Sequence, residues 1–190
     1  SHFSAVAAGV FADVISSARH ALEIGVFTGS THSTDGMSLT GDAATDDAMW
    51  HNNDIRCSGA DILQLKAWQE PMRLAWPNLT AAQAVSYQGT PLDGAIKYAT
   101  EALLARPESR KILIAFTDGD PDVVPRARWQ CKQTTNAGID LLLVGIKETG
   151  VRELHDRTIV VTEPAKLSER LLLGFESIIK TDRRTLRKAV

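Results

Sequence analysis

The most telling apolar pattern in this chain is Lys111 to Asp122, KILIAFTDGDPD. Ile112 to Phe116 is unbroken by any polar residue, and the run ends at Thr117-Asp118-Gly119-Asp120-Pro121-Asp122. A run without alternation suits a strand buried on both faces in the middle of a parallel sheet. Gly119 and Pro121 then turn the chain. Ile139 to Ile146, IDLLLVGI, predicts a second buried strand, and Glu23–Thr28 and Thr158–Val161 predict shorter ones. Ile62 to Trp68 alternates apolar with polar, the pattern of a half-exposed or edge strand.

Between these runs the apolar spacing lengthens to that of helices. Val6, Val10, Val14 and Ala18 line one stripe of a helix over Phe3–Leu22. Leu92, Ile96, Ala99 and Leu103 mark another, and Leu167, Leu171, Phe175 and Ile178 a third within Pro164–Lys180. Arg126–Ala137 predicts a helix stopped by Gly138, and Met72–Leu79 a short one closed by Pro77. The Leu92 helix opens with Gly89-Thr90-Pro91-Leu92-Asp93, where Thr90 suits the N-cap, Pro91 the first turn, and Asp93 the N3 place of a capping box. Gly29–Gly59 is a long polar connection with Trp50 and His51 as points of anchorage, and Thr181–Val190 is a basic tail. Strands alternating with helices predict an α/β fold: a three-layer α/β/α sandwich around a mainly parallel, doubly wound sheet.

Composition narrows the classes. A chain of 190 residues, 44% hydrophobic and 23% charged, suits one globular domain with a real core. A net charge of −2 supplies no general attraction to nucleic acid or anionic membranes. No apolar run approaches the roughly 18 residues of a membrane span, and no signal-peptide pattern opens the sequence. Cys57 and Cys131 have no metal-ligand spacing and read as free thiols of a reducing compartment, so a cytoplasmic location is expected.

Ligands of open parallel sheets bind beyond the carboxyl ends of the strands, where Asp118, Asp120 and Asp122 fall. Such hard oxygen donors suit Mg²⁺ or Ca²⁺. The competing readings are a solvated acidic turn and, for Thr90, a plain helix cap. Val26 to Thr34 resembles a flavodoxin phosphate loop for FMN, but a phosphate loop must feed directly into a helix, and a long polar stretch follows here. A hydrolase using Asp118 and Asp120 would need an acid or base partner, for which no motif occurs, and the histidines lack metal spacing. No catalytic residue is assigned.

Gly89-Thr90-Pro91-Leu92 opening a helix, followed by a strand ending in Thr117-Asp118-Gly119, resembles the von Willebrand factor A (vWA) family. That family builds a metal-ion-dependent adhesion site from a DxSxS motif after its first strand, a threonine in a GT turn and an aspartate in a TDG turn. The resemblance implies a Mg²⁺ or another divalent cation held by Thr90 and Asp118, with Ser1 and Asp120 as further candidates. The DxSxS motif is not in this sequence, nor is the first strand, which the family places at the sheet centre ahead of the Phe3–Leu22 helix. Residues 1–180 are therefore expected to form a vWA-like domain, with room between the Glu23 and Lys111 strands or a strand supplied there by an upstream segment or a second chain. Leu103–Leu113, LLARPESRKIL, is similar to the C-terminal domain of cobaltochelatase CobT subunits, and Lys66–Pro71, KAWQEP, resembles the NorD/CbbO group. Both imply an interaction module beside an AAA+ ATPase of the CobS or MoxR kind, engaging a target protein through an acidic side chain.

Overall fold

A computed structural model describes residues 21–29, 59–82, 89–163 and 166–188. The expected Phe3–Leu22 helix, apart from its last two residues, and nearly all of the Gly29–Gly59 connection lie outside the described residues, as do Ser1 and Cys57. The elements are β1 (Ile24–Gly29), β2 (Ala60–Lys66), α1 (Met72–Ala82), α2 (Leu92–Leu104), β3 (Ile112–Thr117), α3 (Val124–Asn136), β4 (Asp140–Ile146), β5 (Thr158–Val161) and α4 (Leu167–Lys188).

β4 earns its apolar sequence by being covered on both faces. It lies between β3 and β5 and runs parallel to both, in register from Ile112↔Asp140 to Thr117↔Gly145 and from Leu143↔Thr158 to Ile146↔Val161. Side chains alternate across a sheet. Leu142, Val144 and Ile146 accordingly pack with Leu167, Leu171 and Ile178 of α4. Leu141 and Leu143 turn the other way, onto Leu92 and Ile96 of α2 and Ala127 and Cys131 of α3. Gly174 lets α4 approach closely, since a Cβ there would strike Cδ1 of Ile159. Gly138, with φ of 81°, ends α3 in the left-handed conformation that glycine adopts at low cost.

β1 and β2 form a separate antiparallel pair, matched from Ile24↔Lys66 to Gly29↔Ala60 with an irregularity between Ile24 and Gly25. The antiparallel setting of β2 agrees with its alternating pattern. Among the described residues β1 and β3 are not joined in one sheet: β1 pairs with β2, and β3 with β4. Residues of β1 and β3 both line a cleft of about 690 Å³, with Val26, Phe27, Leu92, Ile96, Ile114 and Phe175 among its walls. For the same reason Ile112–Phe116 is half-buried rather than covered on both sides. The described fold is mixed α/β, with a three-stranded parallel sheet and a two-stranded antiparallel one.

α1 continues through Pro77 to Ala82 rather than closing there. A proline inside a helix forfeits one backbone hydrogen bond and costs about 3 kcal/mol. Opposing that cost, Met72, Ala75, Leu79 and Ala82 bury one face against Ile24 and Leu65, and Asn78 Nδ2 donates to the Leu65 carbonyl at 3.0 Å. The buried Lys66 donates through Nζ to the carbonyls of Leu22 (2.6 Å) and Ala67 (3.0 Å). Burial pushes its amine below the ordinary lysine range, against the pull of Glu70 and Glu23. The Arg106 guanidinium, 4.9 Å from the Trp68 ring centroid, ties the end of α2 to the chain just after β2.

At the amino ends of the parallel strands, Asp140 is held from two sides. Arg157 donates to Oδ1 at 2.7 Å, Arg110 to Oδ2 at 3.2 Å, and Arg110 also reaches the Ile178 carbonyl at 2.9 Å. α4 runs on to Lys188, past the end of the amphipathic pattern at Lys180. Among the described residues no helix is long and apolar enough to cross a membrane.

Candidate functional site

Two loops meet at the carboxyl ends of the parallel strands. One, Gly89–Pro91, leads into α2; the other, Asp118–Val123, joins β3 to α3. Gly89 has φ of 64°, in the left-handed region, and so presents Thr90 at the head of a sharp turn. At the end of β3 the buried Thr117 reaches into the second loop, where its Oγ1 donates to the Gly119 carbonyl at 2.8 Å and accepts from the Gly119 N–H at 3.3 Å. That bond closes the Thr-Asp-Gly turn and leaves Asp118 exposed at its tip.

Thr90 does not cap α2. The helix begins at Leu92 with Pro91 in the cap position, and no side chain caps its N-terminus. The Thr90 carbonyl accepts from the Leu92 N–H at 2.7 Å. A Cβ placed on Gly119 would stand 3.0 Å from Thr90 Oγ1, so the hydroxyl lies against the residue that follows Asp118. The capping box is corrected with it. Asp93 is fully buried, with Oδ2 3.6 Å from Arg126 Nε of α3, and forms an interhelical ion pair.

Thr90 and Asp118 both line the cleft between β1 and β3. Asp120 leans elsewhere: its Oδ1 lies 2.7 Å from where a Cβ of Gly150 would be, against the loop after β4. In that loop Glu148 Oε1 accepts from the Gly150 N–H at 2.7 Å, and Lys147 takes φ of 60°, a left-handed setting that is costly for a side chain with a Cβ. Asp122, the third acidic residue of the turn, bonds across to the other loop. Its N–H donates to the Thr90 carbonyl at 3.0 Å, and its Oδ1 accepts from the Thr90 N–H at 2.7 Å. No local signal in the sequence announces a bond between residues 32 positions apart.

Chemically the arrangement offers a hydroxyl, from Thr90, and the exposed carboxylate of Asp118, on neighbouring loops. Hydroxyl, carboxylate and water oxygens form a donor set that suits Mg²⁺, which keeps several waters when protein ligands are few. Among the described residues no three His, Cys, Asp or Glu side chains gather into a metal-holding group. No protein-family model matches this chain, and no curated protein matches it.

Proposed function

We propose that this chain is a vWA-like interaction module, in which Thr90 and Asp118 hold a divalent cation that a partner's carboxylate completes. The observation that carries the reading is the direction of the Thr90 hydroxyl. A threonine ahead of a helix ordinarily caps it, whereas this one leaves the helix uncapped and lies against Gly119 in the Thr-Asp-Gly turn. The reading includes a doubly wound three-layer sheet completed by a strand in the cleft between β1 and β3, where each strand has an edge that no described strand pairs. Unpaired edges invite such pairing. The module works in the cytoplasm beside an AAA+ ATPase of the CobS or MoxR kind, as the non-ATPase component, and recruits a target through an acidic side chain.

Titration calorimetry with Mg²⁺, followed by a pull-down with the ATPase partner, tests this reading. Asp118→Ala is expected to weaken Mg²⁺ binding at least about tenfold and to abolish Mg²⁺-dependent capture while leaving the fold intact, because the side chain is exposed and outside the core. Unaltered metal affinity and capture in that variant would remove Asp118 from the mechanism.

A further inference from the structure

We propose that Asp122 is the positioning residue that clamps the Thr90 loop to the Thr117–Gly119 turn and thereby aims the Thr90 hydroxyl at the cation site; the inference rests on the metal-dependent reading above. Thr90 is held by its own backbone: its N–H goes to Asp122 Oδ1 (2.7 Å) and its carbonyl receives the Asp122 N–H (3.0 Å). With both main-chain groups engaged by one residue, χ1 is the rotation left to the side chain, and the hydroxyl comes to rest against Gly119. The other carboxylate oxygen, Oδ2, would lie 3.0 Å from a Cβ on Gly89, so the carboxylate is folded over the Gly89–Thr90 peptide. Oδ1 is engaged by that peptide, and the charge strengthens its bond to the N–H.

A positioning role and a ligand role predict different variants. Asn keeps an oxygen acceptor at the same reach but loses the charge; Ala loses both. In ¹⁵N-labelled protein, Asp122→Ala is expected to speed exchange of the Thr90 amide about tenfold, the loss of one hydrogen bond, and to weaken Mg²⁺ affinity about tenfold or more, as changes behind a metal ligand do. Asp122→Asn should keep both quantities within about threefold of the wild type, since the acceptor survives. Asp122→Ser, which shortens the reach while staying polar, should behave as Ala and serves if the alanine variant does not fold. Three results overturn the proposal: an unchanged Thr90 exchange rate in both the Ala and Ser variants, loosened Thr90 with undiminished Mg²⁺ affinity in them, or Asn losing as much Mg²⁺ affinity as Ala while Thr90 stays protected. The last would make Asp122 a ligand. A wild-type chain with no Mg²⁺-dependent shifts overturns the metal reading by itself, and the clamp then stands or falls on Thr90 exchange alone.

Discussion

Gly119 and Gly145 both lack a side chain for reasons of space, yet the two reasons differ in kind. At Gly145 a Cβ would collide with the Glu148 carbonyl and lie 2.7 Å from Val151 Cγ2, in a part of β4 that cannot move without the sheet. At Gly119 the neighbour is a single hydroxyl, Thr90 Oγ1, which can rotate away. Gly119→Ala is therefore expected to cost no more than about 1 kcal/mol in urea unfolding, the low end for an added methyl group, since one rotatable hydroxyl is its only close neighbour among the described residues. It should nonetheless weaken Mg²⁺ binding at least about tenfold, because the oxygen leaves the geometry that a small cation demands. Equal loss in stability and affinity would show that Gly119 belongs to the packing and not to the site.

The elements are fastened at the opposite end from the candidate site. Asp140 opens β4, Arg110 lies just before β3 and Arg157 just before β5, and their bonds, with the reach of Arg110 to the Ile178 carbonyl, bring four elements to one carboxylate. The Asp140 side chain is 28% exposed and its partners 34% and 38%, so solvent screens the pairing and keeps it below the worth of a buried one. Asp140→Ala is expected to cost about 1–2 kcal/mol, the scale of charge-assisted hydrogen bonds after screening, read as a lowered urea midpoint with an unchanged slope. No change in midpoint would reduce the cluster to solvated charges. How far such elements can be read from sequence varies with range. The bounds of β5 and the glycine stop of α3 follow from local pattern, and β4 announces its burial because each of its faces meets a helix. The sheet to which β1 belongs is decided by strands far away, and nothing within Ile24–Gly29 encodes it. Pro77 misled because its local penalty is outweighed by a buried face built from residues on either side of it. At the site, the Thr-Pro-x-Asp stretch fits a capped helix as well as a cross-loop contact; only the placement of Gly119 and Asp122 separates them.

At the scale of the whole molecule, Cys131 reports on the integrity of the core. It is fully buried between α3 and β4, and burial pushes its thiol up to about 12, so it stays protonated and unreactive at neutral pH. In a Cys57→Ser background, alkylation of Cys131 is expected to follow the global unfolding curve as urea rises, because the thiolate forms and meets reagent only once the helix leaves the sheet. Labelling that outpaces unfolding measured by circular dichroism would reveal a local opening of α3.

The cleft has a thermodynamic consequence. Thr90 and Asp118 belong to its wall as much as to the loops above it, so a strand entering between β1 and β3 and a cation settling at the carboxyl edge would act on the same two residues. Whatever factor the strand lends to the affinity for the cation, the cation must return to the affinity for the strand, since the free energy around the closed cycle is zero. If the proposed strand and cation are coupled in this way, a partner that supplies the strand would tighten the site for the cation by the same factor as the cation tightens the cleft for the strand.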